Sequence, residues 1–594
     1  MDATSTSKTT EMVTETPRQE DGLNEKSNSS SQVNLVYSDA SQEPEIHLRT
    51  YIAVVAMLLL NYVQIIALQG PPLVANNMGK SLGNPAAQAW IPTALSLVQA
   101  VLAPVISSAS DTFQARKLIL VVGCVISFIG SAVAPGSQSI YRLIVAQILI
   151  GFGFSSTALA YSVPSEILPK KWRPMVQSIV NIAAALGACS GPLIMGALSR
   201  SDPMNGWRNY YWMQMAMWGL TAVSILIGYR PRKRYTVYNE MSLSQKIKAL
   251  DLIGVGLFAS GLTLFLVGLN LGGGQFAWTD KKVLATLIIG LVTLLAFIVY
   301  EWRGTKVGIA HHDLFRKGVS SGRTFSLFIA LMFIEGIMFF AFSIFYPVLT
   351  TSLFEQDPLL VAARAQPFWI ACGISTLVWG YWSIKAKSIR VPLSVAFLIF
   401  TGGTVGFATI QPDDSLSTWF FAGVSGIGFG GPLILIITGI QLATPHALIA
   451  TATALAITSR AVSVAVFTVI FSIAFTERLQ PNIASQVPMA ALKAGLPVSS
   501  VEAFVGALAA RDMAALSQIQ GVTPQIIAAG IQALKQAFAD SIRVVFIIAA
   551  PFGALACLLC WFLDDQSKEM NYRVDAPIED LHARARASDA VIGP

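Results

Sequence analysis

Glu335 and Arg460 are ionisable residues in surroundings that penalise charge. Glu335 is set in Leu331-Met-Phe-Ile-Glu335-Gly336-Ile-Met-Phe-Phe, and Arg460 in Ile457-Thr-Ser-Arg460-Ala-Val, each near the middle of a long apolar run. A charge at the centre of a bilayer costs about 2.5–3.5 kcal/mol even on the lenient insertion scale. Both side chains are therefore expected to face the protein interior or a wet cavity, and to lie close together. A cation that moves toward or away from a carboxyl in apolar surroundings changes how tightly that carboxyl holds a proton. The pair could thus handle a coupling proton, with Glu335 as the carrier. A permanent ion pair that only fastens two helices fits the same residues.

Uncharged polar residues in apolar runs are the next candidates. Asn61, Gln64 and Gln69 fall in one broad arc of the first run, Gln147 lies in the fourth, and Gln177 and Asn181 are four apart in the fifth. Hydrogen-bonding groups in a hydrophobic cavity suit a bulky, largely neutral ligand, although fastening helices together is the commoner use of such residues. The fifth run also holds Gly187-Ala-Cys-Ser-Gly191-Pro192-Leu-Ile-Met-Gly196. Gly187 and Gly191 share a helix face and let another helix approach closely. Pro192 removes a backbone hydrogen bond beside that contact. Such a helix is suited to rocking between two states.

These residues must be positioned by membrane-spanning helices. Of 594 residues 54% are hydrophobic and only 12% charged, about half the charged fraction of soluble domains. A span needs roughly 20 apolar residues to cross about 30 Å of hydrocarbon. Candidates are 51–73, 86–108, 117–137, 141–163, 174–199, 210–229, 250–272, 282–302, 324–346, 366–383, 390–411, 417–440, 447–474 and 541–564, which makes 14. Each must be helical, because lipid offers no partner to backbone polar groups. The net charge of +7 sits in short basic patches between the runs, which argues against nucleic acid as a partner. The asymmetry of Lys and Arg between alternate loops places both termini in the cytosol. Cys557 and Cys560 form a CxxC, but inside an apolar run without a second pair or a histidine, so they read as buried apolar side chains rather than a metal or redox site.

The expected organisation is a disordered cytosolic tail (1–47), a six-helix bundle (48–229), a basic cytosolic linker (230–249) and two extra spans (250–302). A cytosolic loop (303–323), a second six-helix bundle (324–564) and a cytosolic tail (565–594) follow. The second bundle includes one large external loop, 475–540, with helical stretches at 499–516 and 523–539. The linker is expected to end in an interfacial helix, Leu243 to Leu250. Two similar halves around a central cavity is a common transporter plan.

The chain resembles the major facilitator superfamily. Its GxxxGPxxxG at Gly187–Gly196 is similar to the antiporter signature of the drug:proton efflux pumps. Gly206-Trp207-Arg208-Asn-Tyr-Tyr-Trp212 is similar to the segment that opens the sixth helix of 14-span members. Ser165-Glu166-Ile-Leu-Pro169-Lys-Lys-Trp172-Arg173-Pro174, Leu250-Asp251-Leu-Ile-Gly254, and the stretch from Gly428 through Gln441 to Ala461 look like fungal trichothecene-type efflux pumps. The resemblance implies an all-α integral membrane protein of two six-helix bundles plus two extra spans. It implies alternating access and proton-coupled efflux of a hydrophobic secondary metabolite, mycotoxin or drug.

The chain also departs from the family pattern. Where relatives carry GxxxDxxGRR between the second and third spans, this chain reads Ser107-Ser-Ala-Ser-Asp111-Thr-Phe-Gln114-Ala115-Arg116. Asp111 and Arg116 remain as a cytosolic gating motif, but both glycines are lost, which predicts a looser contact. Gln147 stands where relatives place an intramembrane arginine, and Asn61 at or near their acidic position, so the amino-terminal half lacks two charges that relatives use and proton coupling through that half is not expected.

No phosphate-binding GxxxxGK[ST] and no HExxH occurs, so neither ATP-driven pumping nor an enzyme is expected, and no cofactor or metal. The expected partners are a hydrophobic small molecule, protons and the lipid bilayer, with the protein a monomer in the plasma membrane, or alternatively in a vacuolar or vesicle membrane. Uptake of a siderophore or other large metabolite is the alternative within the family. A sensor on a transporter scaffold is the alternative from another class.

Overall fold

The computed structural model describes residues 40–232, 241–272, 276–305, 308–309, 311–315, 322–509 and 512–582. Most of the 1–47 tail, the middle of the linker, much of the 303–323 loop and the last 12 residues of the chain lie outside the described residues. Among the described residues the regular elements are all helices. They are α1 (Leu48–Gln69), α2 (Ala75–Ser81), α3 (Trp90–Phe113), α4 (Arg116–Val133), α5 (Ile140–Phe154), α6 (Thr157–Ile167), α7 (Arg173–Ser201), α8 (Gly206–Gly228), α9 (Leu243–Ala249) and α10 (Leu252–Gly272). They continue with α11 (Lys281–Val299), α12 (Gly322–Leu353), α13 (Pro358–Arg364), α14 (Gln366–Ala386), α15 (Arg390–Phe407), α16 (Ser415–Ala443), α17 (Ile449–Lys493), α18 (Val501–Ala509), α19 (Met513–Gln518) and α20 (Pro524–Cys560).

Among the described residues twelve helices are long and apolar enough to cross a membrane, counting α1 and α2, α5 and α6, and α9 and α10 each as one. The other two expected spans are present as helices but are not among the twelve. α8 and α14 have 23 and 21 residues, about 35 and 32 Å at 1.5 Å per residue. Their Trp, Tyr, Gln and Asn content holds their hydropathy down. The interfacial helix is α9, opened by a capping box in which Ser242 and Gln245 exchange side-chain and backbone bonds.

Two apolar cores organise the packing. One gathers α1, α4, α5, α6 and α8 around Trp207, Tyr210, Tyr211 and Trp218. The other gathers α12, α14, α15, α16, α17 and α20 around a phenylalanine cluster, with Phe342 stacked on Phe368 at 4.0 Å and Phe339 on Phe429 at 4.5 Å. α10 packs against α3 and α17 and is backed by α11. α11 presents Ile288, Leu291, Val292 and Leu295 outward, the dress of a lipid-facing helix.

The 475–540 segment differs from the expected loop. α17 continues unbroken to Lys493 and α20 begins at Pro524. At 45 residues α17 is about 67 Å long, twice the hydrocarbon thickness. The two rods carry a small cap in which Val487, Ala491, Leu496, Phe504, Leu508, Leu516 and Ile526 form their own core. Apolar residues in this stretch are thus buried against each other rather than against lipid. We call this the cap face, and the opposite one, which carries residues 40–47 and 565–582, the tail face.

Candidate functional site

A cavity with about 880 Å³ of empty space, its open mouth included, lies between α1, α3, α5, α6 and α7 on one side and α12, α14, α16 and α17 on the other. Its walls come from the middle of these helices and from their cap-face ends, such as Leu68 and Gln69 of α1 and Trp369 of α14. Part of the wall is a helix break that the sequence reading did not single out. The hydroxyls of Ser155, Ser156 and Thr157 donate back to the carbonyls of Gly151, Gly153 and Phe154 at 2.5–2.7 Å. This ends α5 and restarts the chain as α6. Phe154 and Thr157 at the break face the cavity. Irregular backbone at membrane depth is tolerated where protein buries it or a cavity borders it, and the Ser-Ser-Thr run was the legible signal.

Glu335 and Arg460 meet across α12 and α17. Nη1 of Arg460 stands 3.4 Å from Oε1 of Glu335, longer than the about 2.7–2.9 Å of a tight charge-assisted bond. Glu335 is 0% exposed and its Oε2 has no hydrogen-bond partner. Arg460 retains 18% exposure and forms part of the cavity wall. Gly336 permits the approach, since a Cβ there would stand 3.0 Å from Cγ of Arg460 and 3.1 Å from its carbonyl oxygen.

The six uncharged candidates divide. Gln69 and Asn181 line the cavity, and Asn181 accepts from the Tyr161 hydroxyl at 3.3 Å. Asn61 donates to the Val180 carbonyl at 2.9 Å, fastening α1 to α7. Gln64 donates to Gly153 and Ser156, holding the helix break. Gln147 donates to the Tyr211 hydroxyl at 2.8 Å, away from the cavity. Gln177 lies on its tail-face side and donates to the Tyr161 carbonyl, Ser165 and Gln441. A periodic apolar sequence does not reveal which of these points at a cavity and which at a neighbouring helix.

The tail face is closed by a buried polar network. Asp111 accepts from Arg116 at 2.7 Å and, through its other oxygen, from the backbone and hydroxyl of Thr451 at 3.0 and 2.8 Å. Arg116 also pairs with Glu166. The contact of Asp111 with Arg116 and Thr451 is therefore tight, where the missing glycines predicted a looser one. Gln114 adopts the left-handed conformation itself, at φ 54°, at a cost of roughly 1–2 kcal/mol. Alongside, Arg173 donates to the carbonyls of Ser165 (3.1 Å) and Gln441 (2.6 Å) and to Asp575 (2.5 Å).

Asp575 belongs to a strap, residues 565–582, that no sequence signal singled out. Leu563 and Met570 are buried in the carboxy-terminal core, and Gln566 donates to the Gly439 carbonyl at 3.0 Å. From Asn571 onward the strap docks on the other half. The Lys171 and Lys170 amides donate to the carbonyls of Asn571 and Arg573, Thr50 donates to Glu579 at 2.6 Å, and Ile578 enters the amino-terminal core. Burial pushes the Asp575 carboxyl up, but Arg173, then Lys170, outweigh it and hold it below its ordinary range.

The glycines of α7 are seams. A Cβ at Gly187 would stand 2.8 Å from the Tyr62 carbonyl, and at Gly191 3.1 Å from the Tyr210 hydroxyl, both against the α1–α8 pair. At Gly196 it would stand 2.8 Å from Cα of Leu359 in α13. Pro192 lies between them without ending the helix.

The family model described as the Major Facilitator Superfamily matches residues 53–468. An MFS-type transporter of Penicillium rubens is 25% identical over 449 residues, 74% of this chain and 80% of the relative. An MFS-type efflux pump of Pseudozyma antarctica is 21% identical over 505 residues, 84% and 87%. An MFS-type efflux transporter of Aspergillus flavipes is 22% identical over 495 residues, 82% of each. Among solved structures, a bacterial homologue of the human lysosomal transporter Spinster, inward-facing and unoccupied, aligns with a TM-score of 0.50 at 14% identity, covering 87% of this chain and 99% of that one.

Proposed function

The chain belongs to the Major Facilitator Superfamily, and from that premise we propose that it is a proton-coupled exporter of a hydrophobic metabolite, mycotoxin or drug. That it is a multi-pass membrane transporter of a small molecule, and not an enzyme, follows from the family itself. Export is supported by the efflux names of relatives that align over four-fifths of the chain.

The observation that carries the coupling is the placement of Arg460 on the cavity wall with Glu335 fully buried behind it. A carboxyl there takes a proton more readily as its cation partner lets go. If the basic tail face lies in the cytosol of a plasma-membrane protein, the closed network at Asp111 and Arg173 supports reading this state as outward-facing. α8 and α14 complete 14 spans arranged as six, two and six.

The test uses Nile red, an uncharged aromatic dye. Cells that express the protein should hold less dye than cells that lack it. In proteoliposomes, dye movement should follow an imposed pH gradient and lose that dependence in Glu335→Gln. Dye content raised by expression would favour uptake instead. Full gradient dependence in Glu335→Gln would remove Glu335 from the coupling role.

A further inference from the structure

Among the residues lining the cavity, Arg460 is the one charged side chain. Its counter-charge, Glu335, is out of a ligand's reach at 0% exposure. A ligand therefore meets a cation and no acid. The rest of the wall is aromatic: Phe339 stacks on Phe429 at 4.5 Å and meets Trp369 edge-on at 5.8 Å, with Phe154, Tyr161 and Phe340 nearby. Ring faces attract cations as well as flat apolar bodies, so without Arg460 such a cavity would welcome lipophilic cations.

We propose that Arg460 is a charge filter that bars cations from a cavity otherwise suited to planar aromatic ligands, and that its release from Glu335 expels the uncharged ones. While Glu335 is ionised, it offsets much of the Arg460 charge at a distance and the wall stays dry, but the guanidinium stands on the cavity wall with the carboxylate buried behind it and still repels a cation at close range. When Glu335 takes a proton, the Arg460 charge is left uncompensated beside the cavity. An unpaired charge in apolar surroundings recruits water or an anion, and a cavity so wetted holds an uncharged ligand poorly. Ligand and proton then exclude each other, which is the sign that exchange of one for the other requires. An anionic ligand has the reverse sign, since it binds Arg460 better once Glu335 is protonated, and would travel with the proton. The inference rests on the reading of Glu335 as the proton site.

Two other titratable groups face the pair, Tyr161 from α6 and Cys372 from α14. Charged groups on other helices packed here are engaged elsewhere: Asp111 of α3 and Glu166 of α6 with Arg116 at helix ends, and Asp540 with Arg543 midway along α20.

Three probes of one shape test this: 9-anthracenemethanol (uncharged), 9-(methylaminomethyl)anthracene (cationic) and 9-anthracenecarboxylate (anionic). Each is titrated, by its own fluorescence, into the detergent-solubilised full-length protein across a pH series. The wild type should bind the cation at least about 10-fold more weakly than the alcohol, a modest figure for two like charges several ångströms apart in protein surroundings. Alcohol binding should weaken, and carboxylate binding tighten, as the pH falls. Arg460→Gln should bring cation and alcohol within about 3-fold of each other, whereas Arg460→Lys, which keeps the charge and serves as the folding control, should preserve the gap. Glu335→Gln should fix the alcohol affinity at its low-pH value.

Equal binding of cation and alcohol by the wild type, or a gap unchanged in Arg460→Gln, would overturn the filter. Alcohol binding that follows pH equally in wild type and Glu335→Gln would overturn the expulsion step. Because binding is read without any gradient, these results are separable from the transport reading. Nile red export with no cation discrimination sinks the filter alone, and discrimination with no gradient-driven export sinks the exporter alone.

Discussion

Replacing Asp575 with alanine should unlatch the tail face. Met570 is buried in the carboxy-terminal core, while the next residue, Asn571, accepts from the Lys171 amide of the amino-terminal half. Adjacent Cα atoms are about 3.8 Å apart, so the halves cannot separate on this face without breaking one set of anchors. The Asp575 carboxylate, 3% exposed, receives Arg173 at 2.5 Å and lies 3.6 Å from Lys170. A buried hydrogen bond between charged groups contributes about 1.5–3 kcal/mol. Arg173 keeps its bonds to the Ser165 and Gln441 carbonyls, so the loss falls short of the roughly 3–5 kcal/mol of a fully orphaned buried charge. Taking about 2 kcal/mol, the ratio of tail-closed to tail-open molecules should fall about 30-fold, at 1.4 kcal/mol per factor of ten. Spin labels at Arg230 and Lys385, on opposite halves of this face, would report it by pulsed dipolar distance measurement in a cysteine-free background. Asp575→Ala should add or enlarge a long-distance population, with thermal stability of the cores little changed. Identical distance distributions in variant and wild type would refute the strap as a latch.

Three further outcomes are expected. Gly187→Ala should lower stability by about 1–3 kcal/mol and impair transport, because its methyl meets the α1 backbone, whereas Gly402→Ala, with nothing within 4 Å, should be neutral or stabilising by up to about 1 kcal/mol; thermal shift and dye efflux read both. The strap should survive mild acid. The Asp575 carboxyl is held below its ordinary value, so its contribution is fully present above the unfolded value of about 3.9 and is lost only as pH falls through the lower folded one; the Arg230–Lys385 distance distribution should not change between pH 7 and about pH 5. Phe504→Ala should cost the cap about 3–5 kcal/mol and expose it to limited proteolysis, while anthracene binding in the cavity remains.

Helix positions were largely legible because lipid imposes one crude demand, a run of some 20 apolar residues, and α1, α3 and α12 meet it plainly. Glu335 and Arg460 were legible for the same reason inverted, since charge in such a run stands out. What each polar residue faces was not. Gln147 and Asn181 look alike in sequence, yet one bonds Tyr211 between helices and the other borders the cavity. In a helix apolar on all sides no stripe marks the interior. The strap was invisible for a different reason: Arg173 and Asp575 are 402 residues apart, and nothing local to either announces the other. The tightness of the Asp111 contact was not legible because its bonds to Thr451 cross 340 residues of sequence.

The rods that carry the cap have a mechanical meaning. α17 holds Arg460 at cavity depth and Val487 in the cap core on one uninterrupted helix, about 40 Å apart at 1.5 Å per residue. Pro481 lies between the two and removes one backbone hydrogen bond, but the helix runs on through it, so tilt at the cap is passed on toward the cavity. An antibody fragment that grips the cap should therefore act as a remote brake on the arginine, arresting turnover without ever entering the cavity.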